Sequence, residues 1–223
     1  MSAGFDGFPV EGLDFYDDLE VDNTRTFWTA NKQVYLDAVR TPMLALLDRL
    51  EPEFGPGKVF RPYRDLRYSH DPTPYKTHQG GYVAIGPATG WYVQVDAGGV
   101  RVSAGCFHSE RESLARFRAA VDDDGSGTAL ARLVKRLARK GFKIGGDRLK
   151  TRPRGYPADH PRIDLLRHRS LHAGRSYGSP AWVHTGELAD RVRSDWRALA
   201  PLVDWASEHV ADPTADGAEP HAP

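Results

Sequence analysis

Residues 81–106 read GYVAIGPATGWYVQVDAGGVRVSAGC, and this stretch decides the fold class. Three short runs rich in Val, Tyr, Trp and Ile are separated by Gly- and Pro-containing breaks, the pattern of strands joined by tight turns. They read as strands over residues 81–85, 91–96 and 100–106, with Ala97, Gly98 and Gly99 as a hairpin turn in which glycine takes positive φ at no steric cost. Successive hairpins favour an antiparallel sheet over a βαβ arrangement. Just upstream, residues 59–69 read as a longer strand.

Both flanks of this β region carry helical patterns. Leu13, Tyr16 and Leu19 recur at helical spacing behind Phe5, Phe8 and Pro9, predicting a short helix over residues 10–19. Asp22, Asn23 and Thr24 offer an N-cap for a longer helix through Leu50, which Pro42 should kink or split for want of an N–H. Downstream, Ser109 and Glu112 form a capping box, and residues 128–140 are strongly amphipathic after a loop at 122–127. Residues 142–144 and 148–150 suggest short strands, 162–169 a small helix and 186–210 a final long one. The expectation is α+β: a central, mostly antiparallel sheet of short strands with helices packed from both chain ends. Residues 1–210 form a single domain, and residues 211–223, rich in Ala, Pro, Asp and Gly, form a disordered tail.

The chain has 223 residues, enough for a sizeable core, and 30 basic against 30 acidic side chains. No global field therefore favours nucleic acid or membrane. The balance is uneven along the chain: residues 1–24 hold seven acids and no base, whereas residues 132–154 hold ten bases against Asp147. Cys106 is the only cysteine, which excludes an intrachain disulfide and fits a reducing cytoplasm. No signal-peptide pattern opens the chain, and no apolar run reaches membrane-spanning length.

The densest chemistry is in residues 61–77, RPYRDLRYSHDPTPYKT. In an extended chain Arg61, Tyr63, Asp65, Arg67 and Ser69 share one face, with Phe60, Arg64, Leu66 and Tyr68 on the other. Asp65 between two arginines stays ionised and orients their forks, whose remaining capacity suits a carboxylate or phosphate. Asp71-Pro72-Thr73-Pro74 forces an extended turn that presents Tyr75 and Lys76 in a restrained direction. Arg61, Arg64, Arg67, Asp71 and Lys32 are the candidate binding residues, and Asp65, Lys76 and Tyr75 the candidate catalytic ones. The function expected is binding of a small anionic, phosphorylated or carboxylated, ligand, with hydrolase or transferase activity open. Two alternatives stand beside it: a nucleic-acid or acidic-protein module using residues 132–154, and a polar network that only braces the sheet.

The same run carries a family resemblance. RDLRYSHDPTPYKT is similar to the arginine-aspartate-x-arginine-aromatic-serine-x-aspartate-x-x-proline-tyrosine-lysine-threonine signature of the domain-of-unknown-function 2461 family, bacterial and fungal proteins of unassigned activity. Asp22 to Trp28 with Asn31, Lys32 and Tyr35 resembles that family's amino-terminal motif, and it is this resemblance that singles out Lys32. GWYVQV at 90–95 resembles its central strand, with Gln94 where histidine is common, and LKTRPRGYPADHP at 149–161 its late segment. The family implies positions but no reaction. Leu66 stands where a small polar residue is usual in the family, and His70 and Pro72 replace residues that are often lysine, which removes positive charge from the turn.

Weaker signals carry less. His168 and His172 have the i, i+4 spacing of a helical metal pair, but Ala173 and Gly174 follow at once, so no metal or other cofactor is expected. His108 is a loose acid–base candidate. Asp122-Asp123-Asp124-Gly125 lacks the alternating ligands of a calcium loop and reads as a helix-stopping turn, while Cys106 reads as a small buried residue.

Overall fold

The structure, a computed structural model, describes residues 4–64, 72–86, 88–107 and 111–210. Helix α1 (Val10–Val21) buries Leu13, Phe15, Tyr16 and Leu19. Thr24 caps α2 (Arg25–Val34), its hydroxyl accepting from the Phe27 N–H at 3.2 Å. The helix then widens into a π-helical turn (Tyr35–Arg40) before continuing as α3 (Thr41–Phe54). Pro42 explains the widening. It has no N–H for the Ala38 carbonyl, and its ring would crowd that carbonyl in a regular α-helix. Thr41 N–H bonds Leu36 instead, and the released Ala38 oxygen faces Gly12 of α1.

Six strands form one antiparallel sheet in the order β1-β2-β3-β4-β6-β5: β1 (Gly57–Val59), β2 (His78–Gly86), β3 (Thr89–Asp96), β4 (Gly99–Phe107), β5 (Lys143–Gly145) and β6 (Ser170–Gly178). The hairpin at Ala97-Gly98 lies where the sequence puts it, with Asp96 paired to Gly99 and Gly99 at φ 105°. Helices α4 (Arg111–Asp122), α5 (Asp124–Arg139), the single turn α6 (Ile163–Leu166) and α7 (Glu187–His209) complete the chain. The architecture is α+β.

One sheet face is the core. Trp91, Val93 and Val95 of β3 and Val100, Val102 and Ala104 of β4 point into it, and α7 closes it with the fully buried Trp196. Phe54 of α3 meets the Trp91 and Trp196 rings edge-on at 5.1 and 5.2 Å, and Trp91 Nε1 donates to the Trp196 carbonyl. Glu53 anchors α3 to α7 through a two-pronged pair with Arg197. No helix among the described residues is long and apolar enough to cross a membrane.

Four expectations need correction. The strand expected at 59–69 ends as a sheet strand at Val59, and residues 65–69 lie outside the described residues: Phe60 still donates to Gly80, but Pro62 has no N–H for a ladder, and Tyr63 and Arg64 pair with residues 74–76. The loop at 122–127 is shorter, because the Asp123 carboxylate accepts the Ser126 N–H and starts α5. Residues 148–150 give only an isolated bridge, Arg148 to His168. Residues 170–178, for which no strand was expected, form β6, which carries His172. The capping serine at 109, His108 and the tail at 211–223 lie outside the described residues.

Candidate ligand-binding site

The segment after β1 folds back on itself. Arg64 N–H donates to the Pro74 carbonyl at 3.0 Å and Lys76 N–H to the Pro62 carbonyl at 2.8 Å, with Tyr63 bridged to Tyr75. Asn23, in the short link between α1 and α2, grips this double strand. Its side-chain amide donates to the Tyr75 carbonyl at 3.0 Å and its oxygen accepts the Tyr75 N–H at 3.1 Å. The Tyr75 ring is buried and lies flat on Trp28, centroids 4.2 Å apart and 7° from parallel. Beside the stack is a surface cleft of about 550 Å³, lined by Arg25, Trp28, Lys32, Tyr63 and Tyr75.

Fixing Tyr75 this way sends Lys76 to the other side of the segment. Its ammonium sits 5.6 Å from the Phe60 ring centre, and Phe60 lies against Tyr82 and Tyr92 on the sheet face opposite the core. Gly80 makes room for this cover, since a Cβ there would come within 2.7 Å of the Tyr92 ring and 3.0 Å of Phe60. Burial, then repulsion from Arg61 and Arg64, holds the Lys76 ammonium below the ordinary lysine range. His78, two residues on, is pushed down to about 4 by burial, Lys76 and Arg101, with Arg64 adding to the repulsion and Asp96 opposing it. At neutral pH it is an uncharged imidazole among cations.

His78 opens onto a second cleft of about 480 Å³ across the polar face of the sheet, over Tyr92, Gln94, Arg101, Ser103 and His172, with Lys143 at its far edge. A relay fixes part of its floor. Tyr92 donates to Gln94 at 2.7 Å, Gln94 donates to Asp96 at 2.8 Å, and Arg101 closes on the same Asp96 oxygen at 2.9 Å. Gln94 is 4 % exposed, yet both ends of its amide are bonded. His172 is held low by burial. The absent Cβ of Gly145 leaves space for it, as a methyl there would fall 2.5 Å from Nε2.

The predicted site residues thus separate into two groups. Tyr75 and Lys32 line the aromatic cleft, Lys32 from the exposed surface of α2. Arg61, exposed, and Arg64, half-buried with its guanidinium 3.5 Å from the Tyr75 carbonyl, flank Lys76. Asp65, Arg67 and Asp71 lie outside the described residues, so the proposed Arg–Asp–Arg face is described only at Arg61. Sequence reasoning missed His78, Tyr92, Arg101, Ser103 and His172. One signal was present: Gln94, noted for replacing a histidine, stands in the middle of that floor. His172 was noticed for its spacing to His168, a pattern that misplaced it.

Other candidates resolve simply. Among the described residues no group of three metal-ligating side chains comes together. Asp123 is a helix cap, and Cys106 is buried with its thiol pushed up to about 12. Arg132, Lys135, Arg136 and Arg139 lie exposed along α5.

No curated protein matches the chain. A family profile does, described as "Conserved hypothetical protein (DUF2461)", over residues 11–205 of the 223. That span runs from α1 through most of α7 and includes both clefts and the segment between them. The chain therefore belongs to the DUF2461 family.

Proposed function

We propose that this protein binds a small anionic ligand, phosphorylated or carboxylated, at the cations gathered around Lys76, and that hydrolysis or group transfer on that ligand is the reaction class to test. The observation that carries this is a run of neighbouring cations: Arg61 and Arg64 lie close enough to repel the half-buried Lys76, and Lys76, Arg101 and Arg64 add in the same way to the burial that depresses His78. Like charges held together in a partly dry place gain from an anion brought between them. Arg61, Arg64 and Arg67 position the anion, Asp65 orients the arginines, Asp71 belongs with the binding residues, and Tyr75 with Lys76 completes the pocket. Tyr75 supports Lys76 through its stacked, doubly bonded backbone, and Lys32 extends the positive rim on the other side. The lone, deeply buried Cys106 fits a cytoplasmic setting.

Calorimetric titration with inorganic phosphate and with succinate tests the reading. Lys76→Met is expected to weaken binding roughly tenfold or more, the value of a charge-assisted hydrogen bond. Affinity unchanged by Lys76→Met, or no binding at low salt, would sink it.

A second reading rests on α5. The exposed row Arg132, Lys135, Arg136 and Arg139 forms no ion pair among the described residues, which leaves it open to nucleic acid or an acidic protein. It predicts salt-sensitive retention on duplex DNA or polyglutamate, lost in the Arg136→Glu, Arg139→Glu variant.

A further inference from the structure

We infer that the ligand carries hydroxyl groups beside its anionic group, so that the class bound is a phosphorylated or carboxylated polyol or sugar lying from Lys76 across the polar face of the sheet. This rests on the reading of the Lys76 cluster as the anion site.

The two regions are neighbours. Lys76 lies over Phe60, Phe60 leans on Tyr92 of the cleft floor, and His78, two residues from Lys76, lines the sheet-face cleft together with Arg101. At about 480 Å³ the cleft is within the range of small-ligand sites.

Its floor is chemically different from its rim. The neutral imidazole of His78 offers one donor and one acceptor nitrogen. The Ser103 hydroxyl makes no side-chain hydrogen bond among the described residues and offers both functions. Tyr92 gives its proton to Gln94, and its phenolic oxygen can accept one in return. Such groups match hydroxyls, which also donate and accept. A fully ionised phosphate group, whose oxygens only accept, would use the donors and leave the acceptors unpaired. The one carboxylate of this region among the described residues, Asp96, is occupied by Gln94 and Arg101. A bare anion at Lys76 would leave this row of paired donors and acceptors to water. A hydroxylated body attached to the anion would satisfy it, and sites built to bond hydroxyls reject analogues that lack them.

The test compares a hexose phosphate with ethyl phosphate, and gluconate with hexanoate, by calorimetry on the full chain, with inorganic phosphate as reference. In at least one pair the hydroxylated member is expected to bind about tenfold tighter or better, two or three neutral hydrogen bonds' worth. The pair showing the gain says whether the anionic group is phosphate or carboxylate. Ser103→Ala with His78→Leu should bring that ratio close to one. Ser103→Ala alone, which trims one hydroxyl at an open cleft, should lower it in the same direction without a folding defect. Equal affinities within both pairs, with phosphate binding still sensitive to Lys76→Met, would overturn the polyol inference and leave the anion site standing. No binding by any probe would overturn both.

Discussion

Asn23 does for Tyr75 what a neighbouring strand would do, offering a donor and an acceptor in the geometry of a backbone amide. Both bonds are partly shielded, so Asn23→Ala leaves two backbone groups poorly satisfied and should cost about 1–3 kcal/mol. Urea unfolding of that variant measures it, and an unchanged midpoint would mean water replaces the amide without loss. His78 gives a pH prediction with a definite sign. Its folded value of about 4 lies below the ordinary histidine value of 6.5. Between these two the unfolded chain takes up a proton that the folded chain refuses, so stability falls as pH drops from 6.5 towards 4 and this contribution levels off below. His168 and His172, also depressed, act in the same direction. His78→Leu should flatten the slope in urea midpoints measured from pH 7.5 to 4.5, and a His78 proton resonance titrating near 6.5 would contradict the assignment. In the sequence Asn23 stands out only as a cap and a motif member, since nothing local shows that its amide will reach residue 75.

At the scale of elements, Gly12 is where helix propensity and packing disagree. It lies inside α1, where alanine would ordinarily be better by about 1 kcal/mol. A Cβ there would come to 2.5 Å from the Ala38 carbonyl oxygen, which points at α1 because Pro42 cannot engage it. Gly12→Ala should therefore destabilise by roughly 1–3 kcal/mol, the scale of overpacking, and lower the melting temperature. A stabilised variant would show that α1 can slide off the π turn. Pro42 made this break legible, because a missing N–H is a local fact. The central hairpins were legible for a similar reason, their alternation and glycine turns being complete within a few residues. β6 was not. Its residues, SLHAGRSYG, include five small ones and two that are charged or carry an imidazole, and only the strands on either side supply its pairing. Over its described part, residues 60–64, the strand expected at 59–69 gives way at Pro62, whose lack of an N–H outweighs an alternating pattern.

Across the whole molecule the two sheet faces divide the work, and this division explains how much of the site was readable. The run at 61–77 announced Lys76, Arg61 and Arg64 by density of charge alone. His78, Tyr92, Arg101 and His172 come from four different strands, and only the register of β2, β3, β4 and β6 brings them onto one face. That face can stay polar because the opposite one carries the core, and Trp196 is its hub. Its fully buried ring touches Phe54 from the helices before the sheet and Trp91 from the sheet itself, while its carbonyl accepts the Trp91 indole N–H. Trp196→Ala should cost about 3–5 kcal/mol, since the cavity left has walls from three elements that cannot all relax. Because those walls join both ends of the chain, the loss should appear as one transition at a lower denaturant midpoint. Far-ultraviolet circular dichroism and tryptophan fluorescence should still coincide. Separate transitions for the two signals would show that α1–α3 and the sheet with α7 unfold independently. Ligand bound on the polar face would then stabilise only one of them, whereas a single transition means that phosphate added at Lys76 raises the midpoint seen by both probes.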